Sequence, residues 1–175
     1  MQKKTFTTAL GDIAYWLSDS IDQGRPWAIF LPGLTADHRL FDEQIAYFQG
    51  RANYLVWDPP SHGASRPFPL EWTMNDLARW LRQICEHEGI DKPVLIGQSM
   101  GGYIAQAYME LFPESISGFV SIDSCPLQRR YFASWELWLL KRTKPLYLSI
   151  PWRLLILWGS AGCATSKYGK TLMKS

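Results

Sequence analysis

The sequence predicts an α/β protein built on a doubly wound, mostly parallel sheet with helices on both faces. Three observations predict it. Short, uninterrupted apolar runs alternate along the chain with longer segments whose apolar residues recur at helical spacing. Glycine, proline and aspartate punctuate nearly every junction between the two kinds of segment. Finally, Asp58, Ser99, Asp123 and the Pro32-Gly33-Leu34 turn all follow directly on apolar runs. They therefore fall at the carboxyl ends of strands, where open parallel sheets place their reactive groups.

Residues 5–17 read as two short strands joined by a Leu10-Gly11-Asp12 turn, because Ile13, Tyr15 and Leu17 alternate. Residues 18–26 are polar and contain Gly24 and Pro26, so they form a loop. The run 27–31, Trp-Ala-Ile-Phe-Leu, reads as a strand covered on both faces and stops at Pro32-Gly33. Asp37 suits a helix N-cap, and Leu40, Phe41, Ile45 and Phe48 follow at helical spacing as far as Gly50. Residues 54–57 form the next buried strand, and 58–67 are dense in turn formers. Thr73 opens a helix with Asp76 as capping partner; Leu77, Ala78, Leu81, Ile84 and Cys85 make its apolar stripe, and Gly89 ends it. After the strand that reaches Gln98, Ile104, Ala105, Tyr108, Leu111 and Phe112 continue a helix that Pro113 stops. A last strand occupies 118–122. Beyond Asp123 the chain turns aromatic and leucine-rich (Tyr131, Phe132, Trp135, Trp138), which reads as short packing helices. Residues 154–158 are taken as helical rather than as a further strand, since leucines with little β-branching make a poor strand.

The composition sets bounds. The 175 residues are 47% hydrophobic and 19% charged, ordinary for one globular domain with a real core. A net charge of +2, with basic residues dispersed in short pairs, gives no footing for nucleic acid. No run reaches membrane-spanning length, and the amino-terminal residues lack the apolar core of a signal peptide. Three widely spaced cysteines, Cys85, Cys125 and Cys163, have no metal spacing, and the odd count favours reduced thiols in a cytoplasm. Neither a phosphate-cradling loop nor a metal-ligand cluster is encoded, so no cofactor is expected.

The chemistry concentrates at residues 94–103. Val94-Leu95-Ile96 runs into Gly97-Gln98-Ser99-Met100-Gly101, and a helix-like segment follows at once. A buried strand that turns sharply into a helix puts Ser99 at the tip of the turn in a strained conformation with its hydroxyl presented. Glycine is needed at 97 and 101 because a side chain would collide with the crossing. The Met100 N–H, at the helix start, points where an oxyanion would form.

These residues carry a resemblance to the α/β-hydrolase fold superfamily over nearly all of residues 5–124. The run 97–101 resembles the nucleophile elbow. Phe30-Leu31-Pro32-Gly33-Leu34 resembles the oxyanion turn after the third strand, and residues 58–65 are similar to the Asp-x-Pro-Gly-His-Gly-x-Ser loop after the fourth, with Pro32 and Ser61 departing from the usual residues. The resemblance implies acyl transfer to Ser99 from carboxylic esters or related acyl compounds. Backbone donors would be Met100 and Leu34, and Gly33, Gln98 and His38 would lie along a small-molecule acyl substrate. It also implies that residues 1–124 are the core and 125–175 the beginning of a helical cap. A serine at 99 is unlike the carboxylate nucleophile of dehalogenases and epoxide hydrolases in this fold.

One element of the machinery is missing. The triad order in this fold is Ser, then Asp or Glu, then His, yet His38, His62 and His87 all precede Ser99. Asp123 is the candidate acid, at the end of the strand after the elbow. His87, beside Glu86 and Glu88, reads as solvent-facing, and His62 as a residue that shapes its loop. The expectation is an amino-terminal portion of a longer hydrolase, inactive or very weak as it stands. The competing class is a non-catalytic module that keeps the pocket and binds a small apolar ligand or a partner. Carbon–carbon cleavage of β-diketone-like compounds and cofactor-free perhydrolysis share the motif set.

Overall fold

The computed structural model describes residues 1–126 together with 133–135, 138–139, 142–143, 150–151 and 154. The chain divides into two compact units, Met1–Cys125 and Pro126–Ser175. In the first, six strands form one sheet: β1 (Gln2–Thr7), β2 (Asp12–Leu17), β3 (Trp27–Leu31), β4 (Asn53–Trp57), β5 (Val94–Gln98) and β6 (Gly118–Ile122), in the order β1-β2-β4-β3-β5-β6. The β1–β2 and β2–β4 pairs are antiparallel, whereas β4–β3, β3–β5 and β5–β6 are parallel. Three helices complete the unit, α1 (Asp42–Phe48), α2 (Met74–His87) and α3 (Met100–Leu111).

Alternation along the strands divides the core into two faces. Ala14, Trp16, Ala28, Phe30, Tyr54 and Val56 point to one side, where Phe41 and Ile45 of the α1 region cover them. Ile13, Tyr15, Leu17, Ile29, Leu31, Leu55 and Trp57 point to the other, and all are buried. There α3 packs on β3 and β5 and against α2, whose stripe Leu77, Leu81, Ile84 and Cys85 is fully covered. Burial on both faces explains why the central strands read as continuous apolar runs.

The details differ from the sequence reading in several places, and β1 begins at Gln2 rather than at residue 5. The first hairpin turns at Thr8–Gly11, with Asp12 already in β2. The Thr8 hydroxyl accepts from the N–H groups of Leu10 (3.1 Å) and Gly11 (3.2 Å), closing the turn one residue earlier. The segment after Asp37 starts as a 3₁₀ turn (His38–Phe41) before α1 begins. Asp37 accepts from Arg39 N, only two residues on, which favours the tighter winding. The helix opened by Thr73 carries the expected capping box: Thr73 Oγ1 accepts from Asp76 N (3.2 Å), and Asp76 accepts from Thr73 N (2.9 Å).

No helix among the described residues is long and apolar enough to cross a membrane. In the second unit Trp135, Trp138, Leu139 and Leu154 are exposed, and the Arg142 guanidinium lies 5.0 Å from the Trp138 ring centroid. Tyr131, Phe132 and residues 155–158, on which much of the cap reading rests, lie outside the described residues.

Candidate active site

Ser99 joins β5 directly to α3 with φ +50° and ψ −113°, a conformation costly for any residue with a Cβ. Sterics of the neighbours impose it. A Cβ on Gly97 would lie 2.5 Å from the Gly101 carbonyl, and one on Gly101 would lie 1.8 Å from Leu31 O. The crossing of strand and helix therefore admits only hydrogen at both positions. Two further bonds pin the corner to β6: Ser99 N donates to Ile122 O (2.9 Å), and the Ser124 hydroxyl donates to Ser99 O (2.6 Å). Ser124 was not singled out by the sequence, because only the parallel β5–β6 pairing brings it to the elbow.

The Ser99 hydroxyl neither caps α3 nor bonds to any other described residue. The turn after β3 lies beside it, since a Cβ on Gly33 would sit 3.2 Å from Ser99 Cβ and 2.2 Å from Gln98 Oε1. Gly33 is thus covered by Gln98, while Leu34 is exposed. Ala36 N donates to Gly33 O (3.2 Å) and Thr35 adopts φ +66°, a tight turn that holds Leu34 at its outer corner. Gly33, Gln98 and Ser99 are therefore packed against one another, with Leu34 and Met100 their chain neighbours.

The remaining candidates go elsewhere. Asp123 follows β6 with φ +50°, is exposed, and makes no hydrogen bond or ion pair among the described residues. His62 is buried, its Nδ1 donating to Pro60 O (2.9 Å), so it braces its own loop. His87 is exposed, its ring at a steep angle to Phe6 with centroids 6.4 Å apart. None of the three histidines is hydrogen-bonded to Ser99.

His38 holds the arrangement that sequence reasoning missed. Its Nδ1 lies 2.8 Å from Asp58 Oδ1, its backbone N–H donates to the same oxygen (2.8 Å), and its ring stacks on Trp16 with centroids 3.6 Å apart. Asp58, completely buried, also accepts from Ala64 N through Oδ2 (2.7 Å). The clue lay in the topology: Asp58 directly follows β4 and His38 lies seven residues past the end of β3, and parallel neighbours bring such positions side by side. Asp37, His38 and Asp58 offer three potential ligand atoms within 4.8 Å of one another. The carboxylates face donors of the protein's own: Asp58 accepts from His38 and Ala64, and Asp37 from Arg39, whose hydrogen bonds and charge outweigh burial and hold the Asp37 carboxyl below the usual range. The cluster fits a hydrogen-bonded brace better than a cation site.

A strained strand–helix corner beside the turn of a neighbouring parallel strand, at the carboxyl edge of the sheet, places the chain in a class of α/β folds defined by that crossing. The family model for the alpha/beta hydrolase fold matches residues 26–146, and the chain belongs to that family. It is 31% identical over 97 residues to the magnesium-chelatase 30 kDa subunit of Rhodobacter capsulatus, covering 55% of this chain and 34% of that protein. It is also 31% identical over 90 residues to 3-oxoadipate enol-lactonase 2 of Acinetobacter baylyi, covering 51% of this chain and 34% of the relative. The chain thus spans about a third of the length of these curated relatives. Among solved structures, a hydrolase from Pseudomonas aeruginosa shares the fold with a TM-score of 0.78 at 14% identity, over 98% of this chain and 66% of that one.

Proposed function

We propose that this chain carries the nucleophile and oxyanion site of a serine hydrolase acting on carboxylic esters or related small acyl compounds. Ser99 Oγ attacks the acyl carbon, and the N–H groups of Met100 and Leu34 receive the developing oxyanion. Gly33 and Gln98 form the floor on which the acyl group lies. The observation that carries this reading is the Ser99 backbone at φ +50°, ψ −113°, with Gly33 packed beside it. Backbone strain of this kind clusters at active sites, which supports a displayed hydroxyl here. The likeness to an enol-lactonase supports ester-type chemistry, and a reduced, cytoplasmic setting suits its dispersed cysteines.

Activity in these 175 residues is weak, because a serine needs an adjacent base and no histidine follows Ser99. Asp123 remains the proposed acid. The absence of any hydrogen bond from the three histidines to Ser99 favours, as a second reading, a non-catalytic module that binds a small apolar ligand in the same pocket.

A fluorophosphonate probe read by peptide mass spectrometry tests the first reading. The mark is expected on Ser99, and Leu34→Pro, which removes one oxyanion donor, should slow labelling about 10²-fold, the usual worth of such a donor. Labelling spread over other serines, or unaffected by Leu34→Pro, sinks the proposal.

A further inference from the structure

The His38–Asp58 pair lies outside the serine site and is built like a catalytic dyad. Asp58 Oδ1 already accepts the backbone N–H of His38, so it meets Nδ1 as an acceptor and Nδ1 carries the proton. That fixes the tautomer and leaves the Nε2 lone pair bare. Nε2 has no partner among the described residues, and 19% of the side chain is exposed, enough for access from solvent. Trp16 on one side of the ring and the Asp58 bond at its edge hold the imidazole in place. The other two imidazoles lack this combination: His62 is buried against a carbonyl, and His87 is exposed with no hydrogen-bonded carboxylate.

The pair is not hydrogen-bonded to Ser99. Asp58 follows β4 and Ser99 follows β5, with β3 between them. Two strand spacings separate those ends by about 10 Å, and the stack on Trp16, a β2 residue, draws the ring toward β2 and away from β5.

We propose that His38 is a second acyl-accepting centre, taking small acyl groups from aryl or similarly activated esters at Nε2 without the help of Ser99. The Nε2 lone pair forms the C–N bond as the aryl C–O bond breaks and aryloxide departs. Asp58 stabilises the resulting acylimidazolium through the Nδ1 proton. Water then adds to the acyl carbon and the C–N bond returns its electron pair to Nε2. The carboxylic acid leaves, and the remaining water proton passes to solvent to match the aryloxide.

The test uses p-nitrophenyl acetate with the full 175-residue chain carrying Ser99→Ala, which removes any contribution from the serine. Release of p-nitrophenolate should exceed the buffer rate, fall about 10²-fold when His38→Gln is added, and remain unchanged when His87→Gln is added instead. Circular dichroism checks that the His38→Gln chain is folded. Acid-quenched mass spectrometry of the Ser99→Ala chain should place a single acetyl group on the peptide containing His38. That second readout decides the matter even if the substitution disturbs folding. Equal rates with and without His38, or acetyl groups only on lysines or on His87, overturn the assignment.

Discussion

Gly101→Ala probes the contact that holds the whole site in register. The added methyl would lie 1.8 Å from Leu31 O and 2.5 Å from Leu31 C, where ordinary van der Waals contact begins at 3.4 Å. Both obstacles are backbone in the central strand β3, so no rotamer change relieves them. α3 would have to retreat by about 1.6 Å, and gaps of even 0.5–1 Å forfeit a quarter to a half of each dispersion contact they open. Ile104, Ala105 and Tyr108, all fully buried on α3, would lose such contacts together. Ordinary overpacking costs about 1–3 kcal/mol, so a backbone clash of this depth is expected to cost at least about 3 kcal/mol. At roughly 2–4 °C per kcal/mol for a chain of this size, the melting temperature should drop by about 6–12 °C. Gly118→Ala is the control, because its methyl would meet only Val94 Cγ2 at 3.7 Å and Cγ1 at 3.8 Å. It should stay within about 0.5 kcal/mol of the parent. Urea and thermal unfolding, followed by both tryptophan fluorescence and far-ultraviolet circular dichroism, supply the two-state check and the free energies. If Gly101→Ala melts within two or so degrees of Gly118→Ala, the close packing of α3 on β3 is not what shapes the elbow.

Two other predictions follow from specific geometry. Ser99→Gly should be more stable than Ser99→Ala by about 1 kcal/mol in the same denaturation assay, because glycine relieves a strain worth about 1–3 kcal/mol at a smaller entropic cost; equal stabilities would show that φ +50° is not strained here. Glu88 ties three elements together, accepting from Lys4 Nζ of β1 (2.7 Å) and from the Tyr15 hydroxyl of β2 at the end of α2. Burial alone would raise its carboxyl, but the Lys4 and Tyr15 hydrogen bonds outweigh it and hold the folded value below the ordinary 4.5. Its stabilisation is therefore complete above about pH 4.5 and fades as acid takes the pH down through the lower folded value. Glu88→Gln should cost about 2 kcal/mol at pH 7, the scale of a charge-assisted hydrogen bond, and its deficit should shrink below pH 4; a deficit independent of pH would rule this linkage out.

Much of this molecule is legible from local chemistry. The central strands β3 and β4 appear as apolar runs because both of their faces are covered, and Pro32-Gly33, Gly89 and Pro113 stop segments by backbone sterics that act within a few residues. The elbow was readable because Gly97 meets Gly101 within a single turn, although what Gly101 itself faces, Leu31 of β3, is set by strand pairing. What the sequence could not supply was partnership across distance. His38 meets Asp58 and Trp16 only because β2, β4 and β3 lie side by side, although those residues are 20 and 22 positions away from it. Ser124 reaches the elbow only through the β5–β6 pairing, and Glu88 finds Tyr15 across 73 residues. Periodicity and turn chemistry record what each segment buries. The pairing of one buried polar group with another is fixed by strand order, which no local pattern encodes.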